Sequence, residues 1–240
     1  MKSTVSSSEA EGPAEARLAA RLTDQRSRKV VFLSHCLLNE NTRYLGGACR
    51  RGCVREVVQQ CLDQGIGIVQ MPCPEQQAWG GVLKKRLLRL YGTRASHPAL
   101  HRLEWALLPI GLLFTRLVYR RLARQVAAQI DDYLRSGFEV LGVVGVDGSP
   151  SCGVNKTVEI HGAVEAISAL DPRTVSVDQQ NAVVRRYAQP GPGIFIAALQ
   201  RALRRRGLEV PLLAHDLFDE LDGRPSGLTF DAASTPAGAR

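Results

Sequence analysis

Three of the six cysteines each follow a short apolar run that predicts a β-strand. They are Cys36, Cys73 and Cys152, and the runs before them are rich in Val, Ile and Leu. If the three strands are parallel neighbours, their carboxyl ends lie on one edge of the sheet, where open α/β folds bind ligands. Thiolates are soft ligands that suit iron–sulfur clusters, zinc or Cu(I). Three converging thiolates leave one coordination position of a metal open, which is typical of catalytic rather than structural sites.

The elements that must position these cysteines follow from the hydrophobic pattern. Apolar runs predict four strands, at 29–34, 66–71, 138–146 and 210–214. Helical spacing predicts helices at 54–64, 82–91, 97–135, 160–170, 178–187 and 194–206. Because strands and helices alternate, we expect an α/β fold: a single domain with a small, mostly parallel sheet flanked by helices in a Rossmann-like, three-layer arrangement.

The domain is predicted to span 29–221, with a helical insert at 82–135. Residues 1–28 and 222–240 have compositions typical of disordered segments. The apolar patch inside the insert has about half of the roughly 20 residues that a membrane span needs, so we expect a buried or interface helix and no membrane span. No signal peptide is recognisable, and six cysteines without one indicate a cytoplasmic protein.

The formal net charge is +8, from 31 Lys and Arg residues against 23 Asp and Glu residues. Arginines cluster at 116–124 and 201–206. This pattern is compatible with an RNA- or phosphate-binding module that makes RNA contacts through basic helices. The alternative interpretation, solvated helix faces, is favoured because no aromatic residues interleave with the arginines as a base-stacking surface requires.

Four segments carry the residues best suited to chemistry, and their order along the chain is informative. They contain Ser34-His35-Cys36-Leu37-Leu38 with Asn39, Arg43 and Tyr44 downstream, then Cys73-Pro74-Glu75, then Ser149-Pro150-Ser151-Cys152-Gly153, then Gly191-Pro192-Gly193. In this order, over roughly 29–216, they resemble the 2-thiouracil desulfurase family. The chain looks like a divergent member, since Thr42 stands where the family commonly has a second cysteine.

The resemblance implies a [4Fe–4S] cluster held by Cys36, Cys73 and Cys152, with one open iron. It implies a desulfidase that converts the C=S group of a thiolated nucleobase, nucleoside or nucleotide to C=O and releases sulfide. The expected partner is a small thiolated pyrimidine or its nucleotide, and the expected assembly is a monomer or a homodimer.

Roles for individual residues follow from the same resemblance. Glu75 is expected to act as general base or proton shuttle, and Ser149 and Ser151 to orient water or hold the substrate. The expected substrate-binding residues are Asn39, Arg43, Gly153 and Gly193. The glycines would present backbone N–H groups of the 148–153 loop, and of a helix N-terminus, to an anionic group.

Other interpretations of these residues stay open at this point. The three cysteines could be buried core thiols, or ligands of a non-catalytic metal-binding or redox-sensing protein. Glu75 could be a carboxylate that a helix N-terminus favours. Arg43 could have no role beyond stabilising its own loop. The remaining cysteines, Cys49, Cys53 and Cys61, are expected to be structural thiols.

Overall fold

A central sheet of four parallel strands organises the protein, which a computed structural model describes over residues 14–96 and 98–230. The strands of these residues are β1 (Lys29–Leu33), β2 (Gly67–Gln70), β3 (Glu139–Asp147), β4 (Lys156–Val158), β5 (Ala188–Pro190) and β6 (Leu212–Asp216). The sheet order is β2-β1-β3-β6, and β4 and β5 form a separate antiparallel pair. The predicted α/β class, with a parallel sheet packed against helices, is confirmed. The β4–β5 pair was not predicted, because three-residue strands are too short to show alternation.

The helices are more numerous than predicted, because several short ones occupy segments between the longer elements. They are α1 (Ala14–Arg21), α2 (His35–Leu38), α3 (Arg55–Asp63), α4 (Pro74–Ala78), α5 (Lys85–Leu88), α6 (Thr93–Ser96), α7 (Pro98–Arg135), α8 (Ile160–Ala169), α9 (Val177–Arg186), α10 (Ile194–Arg204) and α11 (Leu217–Leu221). A 3₁₀ turn at Glu40–Thr42 follows α2. The helix predicted at 97–135 is α7, and His97 lies outside the described residues.

Side chains of β1 alternate between two hydrophobic cores, one on each face of the sheet. Val30 and Phe32 pack with α7 and α10, whereas Val31 and Leu33 pack with α3 and α11. The alternation is what an extended chain dictates, since successive side chains point to opposite faces. Burying one such side chain contributes about 1.5–3 kcal/mol, so both helical layers are fixed to the sheet through β1.

The order in which strands are added to the sheet changes direction between β1 and β3. The connection after β1 leads outward to β2, whereas the connection after β3 leads to β6 on the opposite side. Open α/β sheets bind ligands at such a switch point, in the crevice beyond the carboxyl ends of the strands. The predicted insert makes up most of the long crossover from β2 to β3. Helix α7 is the part of this crossover that packs in the core.

Two predicted elements differ from the structure for local reasons. The fourth strand begins at Leu212 and not at residue 210, because Pro211 has no N–H with which to join the ladder. The helix predicted at 82–91 is reduced to α5, because Lys84 adopts a left-handed conformation with φ of 51°. That conformation breaks the helical path and turns the Lys84 side chain inward, where it is 2% exposed.

Both predicted disordered segments lie partly within the described residues. Helix α1 occupies Ala14–Arg21 of the first. In the second, Phe230 is 5% exposed and packs in the same core as α3, so packing extends beyond residue 221. Residues 1–13 and 231–240 lie outside the described residues, together with the disorder predicted for them. None of the described helices combines the length and apolar character that crossing a bilayer requires.

Helix α7 offers a matched test of the core assignment. Ile130 is fully buried and Ile110, on the same helix, is 64% exposed. Ile130→Ala should lower the free energy of unfolding by about 2–5 kcal/mol, because it leaves a cavity under the sheet. Ile110→Ala should change it by no more than about 0.5 kcal/mol. Urea unfolding of both variants measures the difference, and equal losses would contradict the packing of α7 described here.

Candidate functional site

The three predicted cysteines lie around one cavity at the carboxyl edge of the sheet. Cys36 is in α2 directly after β1, Cys73 is the N-cap residue of α4 after β2, and Cys152 follows β3. All three line a cavity of about 120 Å³, called the thiol cavity below. For scale, an engineered apolar cavity of about 150 Å³ binds benzene. The convergence expected from the strand ends therefore occurs, and it occurs at the switch point between β1 and β3.

A buried carboxylate holds the loop that carries Cys152. Asp147 ends β3 and is 3% exposed. Its Oδ1 accepts hydrogen bonds from the backbone N–H groups of Val154, Asn155 and Lys156 at 2.8, 2.9 and 3.2 Å. Hydrogen bonds from several amides to one charged oxygen are strong. The loop is therefore closed on itself, with Cys152 fixed at its tip.

Gly153 and Gly193 serve this loop by backbone packing and are not among the residues that line the thiol cavity. The N–H of Gly193 donates to the carbonyl of Gly153 at 2.9 Å. A Cβ on Gly193 would lie 2.4 Å from the carbonyl oxygen of Ser151, and one on Gly153 would lie 2.1 Å from that of Lys156. Both positions therefore require glycine for close approach of two backbones.

The backbone N–H groups expected to bind an anion already have acceptors. At the start of α10, Ile194 donates to the carbonyl of Pro150, and Phe195 donates to that of Ser151. In the preceding loop, the N–H of Cys152 donates to the Ser149 hydroxyl oxygen at 3.1 Å. The expectation that this helix N-terminus and loop present free amides to a ligand is thus not met, because the loop and the helix satisfy each other.

Glu75, Ser149 and Ser151 form one hydrogen-bonded group on the cavity wall. The Ser151 hydroxyl donates to Glu75 Oε1 at 2.8 Å, and the Ser149 hydroxyl approaches the same oxygen at 3.3 Å. The two hydroxyl oxygens are 3.0 Å apart, and Ser151 Oγ lies 3.6 Å from Cys152 Sγ. A carboxylate joined to two hydroxyls beside a thiol can accept and relay a proton.

Lys84 is a site residue that the sequence did not reveal. Its ammonium nitrogen lies 3.4 Å from Glu75 Oε2 and donates to the carbonyl of Thr42. Burial and the Lys84 charge together lower the pKa of His35, another residue of the cavity lining. Lysines in a basic run at helical spacing normally face water, so no periodicity marks this one. The local signal in the sequence is the glycine pair Gly80-Gly81, which adopts positive φ angles and begins the turn.

Arg43 enters the cavity lining from a buried network of charges. Its Nη1 lies 2.8 Å from Glu220 Oε2 and 3.5 Å from Glu40 Oε2. Arg50 pairs with Glu220 as well, and His215 Nε2 lies 2.8 Å from Glu220 Oε2. Because both carboxylates are almost fully buried, removing either arginine would leave an uncompensated buried charge.

Two buried side chains near the thiols carry donors without a well-placed acceptor in the described part of the chain. Nε and Nη2 of Arg43 and the hydroxyl of Tyr119 make no hydrogen bond of normal geometry there, although Arg43 lies close to Cys36 and Tyr119 close to Ser151. Tyr119 comes from α7, and burial together with the charges of Glu75, Cys152 and Cys73 raises its pKa. Unsatisfied buried donors are rare, and a group bound beside them is one physical explanation.

Burial controls the ionisation of the three thiols. It raises the pKa of Cys73 to about 12, with Glu75 adding to the effect. It also raises the pKa of Cys36, although the Arg43 charge opposes the change. The pKa of Cys152 is raised well above its usual range by burial and by the two other thiols. Without a ligand the thiols are therefore protonated at neutral pH, and binding a metal here must release protons.

One wall of the thiol cavity, formed by the end of β4 and by α8, is apolar. It consists of Val158, Ile160, Ala163, Val164 and Ile167. The site thus has a reactive half, with thiols, carboxylate and ammonium, and a half suited to the face of a flat, apolar or aromatic group. The part of the chain that the structure describes contains no group of three or more His, Cys, Asp or Glu side chains that could hold a metal ion.

The remaining predicted residues lie away from the cavity. Asn39 caps the 3₁₀ turn, where its Oδ1 accepts from the N–H of Asn41 at 3.2 Å, and it is not among the lining residues. Cys61 is fully buried in the core beside α3, in agreement with a structural thiol. Cys49 is exposed and Cys53 half-buried, and neither lines the cavity.

Comparison with known proteins gives one distant similarity. Over 131 residues the chain is 22% identical to the uncharacterized protein MJ0003 of Methanocaldococcus jannaschii, a match that covers 55% of this chain and 71% of that protein. No family model matches the chain, and no solved structure matches it. The similarity carries no activity with it, so the function must be argued from the site itself.

The His215 network predicts how stability depends on pH. Burial, and after it the charges of Arg43 and Arg50, lower the pKa of His215 to about 4. The neutral imidazole therefore stabilises the fold above pH about 6.5, and this contribution, about 3 kcal/mol, is lost as the pH falls toward 4. His215→Gln should remove that loss, so its free energy of unfolding should fall less steeply over this range. Urea unfolding at several pH values measures the slope.

The matched control is His161→Gln at an exposed position, which should keep the slope of the unaltered protein. Equal slopes for His215→Gln and the unaltered protein would contradict a neutral, buried His215.

Proposed function

We propose that this protein is an iron–sulfur-dependent desulfidase that removes sulfur from a thiolated nucleobase, nucleoside or nucleotide. The overall reaction is hydrolytic: a C=S group and water give a C=O group and hydrogen sulfide, with no net oxidation or reduction. The observation that carries the proposal is the meeting of three thiols, one buried and two half-buried, with a carboxylate–hydroxyl–ammonium group in one cavity.

The donors present fit a thiolate-held cluster. Cys36, Cys73 and Cys152 reach the cavity from three separate strand ends, and iron–sulfur clusters are held by cysteine thiolates. A cluster, unlike a single metal ion, would not require the three thiolates to contact one atom. The unpartnered Nε and Nη2 of Arg43 supply donors and positive charge next to such an anionic group. When bound, a cluster with one open iron would supply Lewis acidity toward a soft thiocarbonyl sulfur.

The other side chains of the cavity supply proton handling. Glu75 lines the cavity, so its carboxylate can accept a proton from the attacking water. The hydrogen bond from Ser151 orients its Oε1. Lys84, 3.4 Å from Oε2, holds the carboxylate in place and balances its charge. The Ser151 hydroxyl bridges Glu75 and the Cys152 sulfur, which places it to pass a proton toward departing sulfide.

The apolar wall contributed by α8 supports a heterocyclic substrate. Ile160, Val164 and Ile167 offer a surface for the face of a pyrimidine, and Tyr44 lines the same cavity. The Tyr44 hydroxyl donates to Asn181 Oδ1 at 2.8 Å, and burial raises its pKa to about 12, so it stays a neutral donor at neutral pH. Arg43 remains the residue proposed to meet a polar or phosphorylated part of the substrate.

Loss of any one of the three thiols should abolish the reaction. Protein purified without oxygen should release sulfide from 2-thiouracil or 4-thiouridine, and Cys36→Ala, Cys73→Ala and Cys152→Ala should each reduce the release to background. Cys49→Ala is the matched control, because Cys49 is exposed and does not line the cavity. The proposal fails if any of the three variants keeps the rate of the unaltered protein.

Glu75→Gln should slow sulfide release by about 10²–10⁴-fold, because the amide keeps the shape of the carboxylate but cannot take the proton. Its iron content should stay unchanged, since Glu75 is not a proposed ligand. Ser151→Ala should have a smaller effect, and Ser149→Ala a smaller one still, in the order of their distances to Glu75 Oε1.

These variants also separate catalysis from sensing. Iron-loaded protein that releases no sulfide from any thiolated pyrimidine would favour the alternative, a metal-binding or redox-sensing protein built on the same three thiols. An unchanged rate in Glu75→Gln would remove Glu75 from the mechanism.

A further inference from the structure

A row of exposed apolar side chains runs along the first half of α7. Its members, called the apolar stripe below, recur at spacings of four, three, four and three residues: Leu103, Leu107, Ile110, Phe114 and Leu117. Their exposure ranges from 46% for Phe114 to 64% for Ile110. This spacing keeps all five on one helix face over roughly 21 Å. A contiguous apolar surface of this kind marks an interaction site.

The other face of α7 already accounts for the role of the helix in the fold. Tyr119, Leu122, Val126 and Ile130 are buried in the core under the sheet. At 100° per residue, these positions lie on the side of the helix opposite the apolar stripe. No member of the stripe belongs to either hydrophobic core, and the ring of Phe114 is covered in part by the Arg86 guanidinium, 5.5 Å from the ring centre.

The chain around the apolar stripe is strongly basic. Between residues 82 and 124 the only acidic residue is Glu104, whereas the basic residues are Lys84, Lys85, Arg86, Arg89, Arg94, Arg102, Arg116, Arg120, Arg121 and Arg124. The spacing of four and three continues past Leu117 to Arg121 and Arg124. The same face of α7 thus changes from apolar to cationic along its length.

A groove beside this cationic end extends the positive surface. Arg120 and Arg124 of α7 face Arg201 of α10, and Arg205 at the C-terminal cap of α10, across a groove of about 490 Å³. No acidic residue lines it, and among the described residues none of these four arginines forms a salt bridge. Arg206, at the edge of the groove, pairs with Asp131 at 3.2 Å. The groove is therefore open to an external anion.

We propose that this face of α7 docks on the surface of an anionic lipid bilayer. The apolar stripe would enter the boundary between headgroups and acyl chains, and Arg121 and Arg124 would meet lipid phosphates. Interfacial helices combine an apolar face with basic residues in this way, and they lie in the membrane plane without spanning it.

Charge complementarity favours this partner over two others. A second copy of the chain would bring the same basic segment against itself, and like charges across an interface are costly. A nucleic acid would meet the arginines but leave the apolar stripe in water. An anionic bilayer is complementary to both parts of the surface.

The test uses the full chain in flotation with vesicles of phosphatidylcholine, and with vesicles of equal parts phosphatidylcholine and phosphatidylglycerol. The protein should bind the mixed vesicles about tenfold or more tightly than the neutral ones, and high salt should weaken this preference.

Ile110→Glu should weaken binding to the mixed vesicles by about tenfold, because it places a charge in the apolar boundary. The combined change Arg121→Gln and Arg124→Gln should weaken it by about tenfold on mixed vesicles and much less on neutral ones.

Leu62→Glu is the matched control, because Leu62 is 65% exposed on α3, outside the apolar stripe, and its replacement should not alter binding. The proposal is overturned if the protein floats with neither kind of vesicle, or if Ile110→Glu binds as well as the unaltered chain. It is also overturned if sedimentation equilibrium shows a dimer that Ile110→Glu abolishes while no vesicle binding occurs. That outcome would identify the stripe as a subunit interface.

Discussion

Parallel pairing of β1 with both of its neighbours is the constraint on which the site depends. Leu33 at the end of β1 is level with Gln70 of β2 and with Val144 of β3. The chain therefore leaves the strands at one edge of the sheet, and Cys36 and Cys73 each follow three residues after the paired positions. A shift of register along β1 would separate these thiols. It would also exchange the two cores, because the side chains of β1 alternate between them.

The charges around the thiols follow from the same burial that brings the thiols together. A buried thiol resists ionisation, and Lys84 and Arg43 are the cations placed to favour its thiolate. Each cation is paired with a carboxylate: Lys84 with Glu75, and Arg43 with Glu220, which it shares with Arg50. Buried ion pairs gain little net stability once desolvation is counted. Their presence at the cavity is therefore better explained by what they do to a bound group than by their contribution to folding.

Apolar runs and strand–helix alternation were enough to predict the sheet, its parallel direction and the edge where the cysteines meet. Glu75, Ser149 and Ser151 were named as candidate site residues, but the hydrogen bonds that join them into one group were not predicted. Lys84 was not foreseen, since its inward direction depends on one left-handed backbone conformation that no hydrophobic period encodes. Tyr119 was missed because it reaches the site from the middle of α7, far from any motif.

The glycine-rich segments illustrate a different limit of sequence reasoning. A glycine next to a functional loop can expose backbone amides to a ligand or permit two backbones to touch, and the two cases look alike in sequence. At Gly193 contact between α10 and the Cys152 loop leaves no room for a side chain, and at Gly153 contact within that loop does the same. Only the three-dimensional path of both segments distinguishes these alternatives, and here it makes the glycines supports of the cysteine loop.

The most direct test of the central claim is the iron and acid-labile sulfide content of the protein purified without oxygen, together with its visible absorption spectrum. A cluster held by the three cysteines predicts about four irons and about four sulfides per chain, with absorption that bleaches in air. Well-folded protein that contains zinc, or that takes up no iron and sulfide on reconstitution, would contradict the account.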